Sequence, residues 1–191
     1  MEILKMLHTH KIVSSVFISC LMFGTLSQSV AQNTPTEESL EYSVKAAYLF
    51  KFGSFIEWPS NTFLEPTSPL MVGIVGDDPF GIKLEQTIQG RTINGRPLVI
   101  RRFNHGQQLQ EVHILFISRS EQQNLNVLIR DLSGVLTIGE FEPSLPGVMI
   151  NFTLNNNKVR FDVDLDAANR AELKISSKLL SVARNVRGKI Q

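Results

Sequence analysis

Three observations predict an α/β fold, a mostly parallel sheet covered by helices on both faces. Short apolar runs rich in β-branched residues alternate with segments of helical periodicity, which is the pattern of strand-helix-strand units. Hydrophobic residues make up 42% of the 191 residues and charged residues 19%, with a mean hydropathy of +0.01. Such a chain can bury a core and is too apolar for general disorder. Its length suits about one domain, since domains run roughly 100 to 200 residues.

The first thirty residues stand apart from that pattern. Lys5 and Lys11 give a positive start, an apolar run extends from Ile12 to about Leu26, and Ser29-Val30-Ala31 supplies the small residues that signal peptidase reads. Residues 1–31 are therefore expected to be a secretory signal, cleaved after Ala31, which would export the mature chain. A membrane anchor is the competing reading, but the run falls short of the roughly 20 residues that span a bilayer. A lipidated Cys20 is weaker still, because Leu21-Met22-Phe23 continue the apolar run beyond it.

Cleavage removes Lys5, Lys11 and Glu2, so the formal charge of +1 falls to zero. No basic excess is left for a phosphate backbone, and no nucleic-acid partner is expected. Cys20 is the single cysteine. Without it the mature chain has no disulfide, thiolate nucleophile or cysteine-ligated metal.

Residues 32–38, polar and containing Pro35, read as a flexible leader, and a single domain is expected over 39–191. From Leu40 to Trp58, Val44, Ala47, Tyr48, Phe52, Phe55 and Ile56 fall at helical spacing, with Leu49 and Phe50 widening the stripe. Pro59 ends that helix. Tyr48, Phe52, Phe55 and Trp58 are either core residues or aromatic anchors of a partner or dimer surface, and the density of aromatics leaves both readings open.

Leu70 to Val75 (LMVGIV) reads as a buried strand. Asp78 then stands where a helix cap belongs and Pro79 at the first helical position, followed by the stripe Phe80, Leu84, Ile88. A strand from Leu98 to Phe103, a strand from Ile114 to Ile117, a helix from Glu121 to Leu132 and a strand from Val135 to Ile138 continue the alternation. Val148 to Leu154 and Val159 to Val163 flank Asn155-Asn156-Asn157, a hairpin signal, placed at an edge of the sheet or slightly out of it. Asp166 is expected to cap a final helix carrying Ala168, Ala171, Ile175, Leu179, Val182 and Val186, with a break near Ser176-Ser177.

Catalytic signatures do not assemble. The loop Gly76-Asp77-Asp78 lacks the spacing of a dinucleotide or phosphate loop, and its two carboxylates would repel a phosphate. There is no nucleophile elbow. His105 and His113 are too few and too far apart for a histidine metal site. Asp162, Asp164 and Asp166 have the opening spacing of a calcium loop, but Leu173 stands where its closing glutamate belongs. No cofactor, metal or enzymatic activity is expected. In open parallel sheets, however, the loops at the carboxyl ends of the strands form the ligand crevice. Gly76, Asp77 and Asp78, Ser118 to Ser120, and Gly139 and Glu140 are expected to share that rim as a candidate ligand cleft.

Ordered motifs then point to a family. EYSVKAAYLFKF (Glu41 to Phe52), FIEWP (Phe55 to Pro59), VGIVGDDPFG (Val72 to Gly81), HILFIS (His113 to Ser118), VRFDVDLDAA (Val159 to Ala168) and LKISSKLLSVA (Leu173 to Ala183) resemble the YfiR family across nearly all of the mature chain. The resemblance implies a periplasmic α/β protein, without enzymatic activity, that can form a homodimer. It implies repression of an inner-membrane diguanylate cyclase or action on another membrane sensor, with an outer-membrane-associated partner, and so control of cyclic-di-GMP and biofilm formation. The best-known member is redox-sensitive through cysteines, which this mature chain lacks. The runner-up reading is a periplasmic small-molecule receptor.

Overall fold

The computed structural model describes residues 36–189. The expected signal and most of the expected leader lie outside the described residues. Helix α1 (Glu37–Gly53) opens on Thr36, whose side chain accepts the Ser39 N–H, with Glu37 and Glu38 in the first turn and Lys51 in the last. Those signs suit the helix macrodipole. The helix begins three residues before the expected Leu40 and ends five before Trp58. Phe55-Ile56-Glu57 leaves it because β1 (Ile56–Glu57) pairs antiparallel with a strand near the other end of the chain.

Strand β2 (Leu70–Val75) is buried at every position, as a strand covered on both faces must be. Helix α2 (Ile82–Ile88) starts later than expected. Asp78 does not cap it: Oδ1 of Asp78 accepts the Phe80 N–H in a local turn, and Gly81, at φ 51°, holds the cap position. A short β3 (Thr92–Ile93) turns through Asn94-Gly95 into β4 (Arg96–Phe103), and β5 (Ile114–Ile117) follows. The helix expected over 121–132 is instead a 3₁₀ turn, Arg119–Asn124, and one turn of α3 (Leu125–Leu128). Then come β6 (Leu136–Gly139), β7 (Ile150–Asn155), β8 (Lys158–Asp164) and α4 (Leu165–Arg170).

The expected final helix is broken into pieces. Asp164, not Asp166, caps α4 by accepting the Ala167 N–H. Glu172 adopts φ 60° and stops the helix, β9 (Lys174–Ile175) pairs with β1, α5 (Ser177–Leu180) is capped by Ser176, and β10 (Asn185–Arg187) returns to the sheet. Pairing across the chain won over local helical periodicity.

The main sheet has eight strands in the order β10-β8-β7-β6-β5-β2-β4-β3, parallel except at β7-β8 and β3-β4. Asn156 and Asn157, both at positive φ, turn β7 into β8. The pair is not at the edge, because β10 lies outside β8. Alternate residues feed two apolar clusters. Ile114 and Phe116 pack with Ala46, Leu49 and Phe52 of α1 and Leu84 of α2, while Leu115 and Ile117 pack with Leu125 of α3 and the loop residues Phe141 and Val148. At the centre of the first cluster the Phe52 ring stacks on Phe152 at 5.7 Å and meets Phe161 edge-on at 4.9 Å.

At the amino ends of the strands, a stack ties the loop after β1 to the sheet. Arg96 lies 3.8 Å over Phe63, Phe63 stacks on His113 at 4.6 Å, and His113 Nδ1 accepts the Met71 N–H at 2.9 Å. Burial, more than the nearby Arg96 charge, holds the His113 pKa below its ordinary value of 6.5, although a backbone hydrogen bond with Thr62 opposes it.

Two outcomes are expected from this packing. Phe52→Ala lowers the unfolding free energy by about 3–5 kcal/mol, the usual cost of emptying a buried phenylalanine site, and denaturant titration measures it. For His113 the unfolded chain takes up a proton before the folded one does, so its contribution is complete above about pH 6.5 and is lost as pH falls toward the lower folded value. Melting temperature followed against pH should therefore drop less steeply below that point in His113→Gln than in the native chain; identical slopes would exclude the role.

Candidate functional site

The register of the parallel strands builds the rim. Val75 pairs with Ile117, Ile117 with Gly139 and Gly139 with Asn151. The loops at Gly76, Ser118 and Glu140 therefore leave from one edge, as expected. Ser120 Oγ accepts the Asp77 N–H at 3.0 Å, and Gly76 sits at φ 85° with no room for a Cβ, which would stand 2.4 Å from Ser120 Oγ. Here glycine is required twice over, by conformation and by space.

Most of the acids on this rim are already engaged. Asp78 Oδ2 accepts Arg102 Nε at 2.7 Å, and the same guanidinium reaches Glu85 at 2.5 Å, holding the Glu85 carboxyl below its ordinary range. Gly139 is buried, and a Cβ there would meet the Phe141 ring at 2.5 Å. Glu140 is buried with it. Its Oε2 accepts Lys45 Nζ at 2.5 Å, its Oε1 accepts the Tyr42 hydroxyl at 2.9 Å, and its backbone carbonyl accepts Arg119 Nε at 2.9 Å. Glu41, one turn back on α1, also pairs with Lys45. Burial first, and then the Glu140 charge, raise the Tyr42 pKa, so its hydroxyl stays a donor. Two cations and two carboxylates balance, and α1 plugs the part of the rim expected to be open.

Asp77 is exposed. Near it, His105 directs Nδ1 at the buried Glu121 carboxylate, 3.0 and 3.1 Å from its two oxygens, and Asn124 Nδ2 donates to Glu121 Oε2 at 3.2 Å. Asn124 Nδ2 also lies 3.2 Å from His105 Nδ1. Among the described residues no cluster of three or more His, Cys, Asp or Glu is placed to hold a metal ion.

The expected aromatic anchors divide. Phe52 is fully buried and belongs to the core, so it offers nothing to a partner. Its place seven residues after Lys45 puts it on the sheet-facing side of α1. Tyr48 is half-buried, stacked on Phe52 at 5.6 Å and edge-on to Phe161 at 5.6 Å. Phe55 is half-buried against the same cluster, and Trp58 meets Phe63 edge-on at 6.0 Å. The residues that do face outward on α1 are Leu40 and Val44, 54% and 44% exposed, which with Tyr48 and Leu154 line a groove of about 540 Å³ between α1 and the β7-β8 turn. A second groove, about 550 Å³, runs between β9, α4 and α5. Neither is lined by Gly76, Asp77, Asp78, Gly139 or Glu140.

Sequence reasoning missed Lys45, Tyr42 and Arg119. The available signal was Lys45 itself, a lysine on the same face as Leu49 and Phe52, with Glu41 one turn before it.

The eight-stranded sheet and the rim's buried, internally paired Glu140 define a domain of the mixed α/β class. The chain belongs to the YfiR/HmsC-like family, whose description matches residues 42–184. That family is regulatory, is periplasmic, and works in cyclic-di-GMP signalling with membrane partners. No curated protein matches the chain closely enough to count as a relative. Among the described residues no helix is long and apolar enough to cross a membrane.

Removing one member of the buried pair strands the other charge, at a cost of about 3–5 kcal/mol. Lys45→Met and Glu140→Met are each expected to lose that much stability in urea titration. The double variant should recover most of it, and strictly additive losses would show that the two charges are not coupled.

Proposed function

We propose that this protein represses an inner-membrane diguanylate cyclase by direct contact with the cyclase's periplasmic region, and so limits cyclic-di-GMP and biofilm formation. It acts as a homodimer, without enzymatic chemistry or cofactor, and an outer-membrane-associated partner relieves the repression. Membership of the YfiR/HmsC-like family supports the pathway. The observation that carries the contact mechanism is the two-sided α1. Its inner face is fixed on the sheet by Phe52 and Lys45, while Leu40 and Val44 remain exposed for contact with another chain. Apolar groups clustered at a surface in this way mark interaction sites.

A second reading, a periplasmic small-molecule receptor feeding another membrane sensor, is favoured by Asp77 and the oriented His105, both exposed on the rim. It predicts a saturable ligand. At a hundred times its Kd such a ligand adds about 2.7 kcal/mol of stability, which a thermal-shift panel of periplasmic metabolites would register.

Affinity capture from the envelope of the source bacterium, with cyclic-di-GMP measured in a strain lacking the gene, tests the first reading. The expected result is recovery of a membrane protein bearing a diguanylate cyclase domain, together with a raised cyclic-di-GMP level in the deletion strain. An unchanged level with no cyclase recovered would overturn it.

A further inference from the structure

Apart from Tyr48, which also packs on Phe52 and Phe161, the outer face of α1 is left exposed. At about 100° per residue, Glu37, Leu40, Val44, Ala47, Tyr48 and Lys51 form one stripe, opposite the buried face of Ala46, Leu49 and Gly53. Leu40, Val44 and Ala47 are exposed, and Tyr48 is half-buried. The macrodipole accounts for an acid at the start and a base at the end. It does not account for the apolar side chains between them.

This stripe is complementary to itself when reversed. Counted outward from Val44, Leu40 lies four residues before and Tyr48 four after. Glu41 lies three before and the small Ala47 three after, and Glu37 lies seven before and Lys51 seven after. A copy rotated about a two-fold axis through Val44 therefore sets Val44 on Val44, Leu40 on Tyr48, and Glu37 opposite Lys51, at both ends of the contact. A two-fold interface requires that each patch meet itself in this way. An unrelated partner would need no such symmetry in the sequence.

We propose that the outer face of α1 is the seam of a homodimer, in which the α1 helices of two copies pack antiparallel about Val44, with Glu37 of each paired to Lys51 of the other. This deepens the contact reading by naming the second copy as the occupant of the stripe, and it rests on that reading without depending on which membrane protein is regulated. Ala47 lets the backbones approach. Leu40, Val44 and Tyr48 supply the apolar contact, and the end charges fix the direction, because a parallel arrangement would set Glu37 beside Glu37.

Sedimentation equilibrium of the purified protein over a dilution series tests the proposal, with circular dichroism and melting temperature to show that each variant is folded. Val44→Arg brings two guanidinium groups together at the axis and is expected to raise the dimer Kd by at least about a hundredfold. It should leave the fold intact, because Val44 is 44% exposed. Glu37→Lys and Lys51→Glu should each weaken the dimer by roughly two- to tenfold. The double variant, which restores opposite charges in the reversed sense, should return to the native Kd. A native chain that stays monomeric, a dimer indifferent to Val44→Arg, or a double variant no tighter than the two singles would each overturn the seam. Capture of a cyclase is read in a separate experiment, so loss of the seam and loss of the regulatory reading are told apart.

Discussion

An ammonium group taken out of water costs several kcal/mol unless carboxylates meet it, and Lys45, 1% exposed, is met by two, Glu41 on its own helix and Glu140 at the end of β6. The pairing leaves α1 one register on the sheet. A slip of one turn, about 5.4 Å, would part the buried Glu140 from Lys45. In the permitted register Phe52 drops between Phe152 and Phe161, Tyr42 reaches Glu140 with its hydroxyl and stacks edge-on with Phe80, and the opposite face is left to solvent. The inner contact thus decides what the outer surface displays.

Strands were legible where their burial was complete. LMVGIV at 70–75 and ILFI at 114–117 are apolar throughout because parallel strands under two clusters have no wet face. The polar turn at Asn156-Asn157 was legible for another reason: both residues take the positive φ that asparagine tolerates. The segment after Asp164 was not legible in the same way. Ala168, Ala171, Ile175, Leu179 and Val182 do keep a helical spacing, but Ile175 is drawn into pairing with Ile56, and Arg184 and Arg187 reach Asp162 and Asp164 to set β10 beside β8. Those partners lie far away in sequence, and no local pattern announces them.

The site divides along the same line. That the loops after β2, β5 and β6 share an edge follows from parallel topology and could be foreseen. That Glu140 is buried could not, because it depends on a lysine almost a hundred residues away. The aromatic stripe of α1 was ambiguous in sequence, since one helix carried apolar residues on two faces. Phe52 falls on the side of Lys45 and Leu49, Tyr48 at the boundary, and Leu40 and Val44 on the far side. Only the docked helix separates core from surface.

The one cysteine of the chain is Cys20, so residues 36–189 contain none, and a signal cannot reach this domain through a thiol. Noncovalent contacts must carry it, and they differ in strength along the sheet. β10 is a three-residue edge strand, exposed throughout and clamped by ion pairs from the partly exposed Arg184 and Arg187 to Asp162 and Asp164. Helix α1, by contrast, is held by a buried charge and three stacked rings, and cannot shift without exposing them. A surface carried on so rigid an element is already in its binding conformation, and a partner that docks there spends little free energy on ordering it. Under the proposed contact mechanism, that rigidity supplies affinity from the few apolar side chains α1 leaves uncovered.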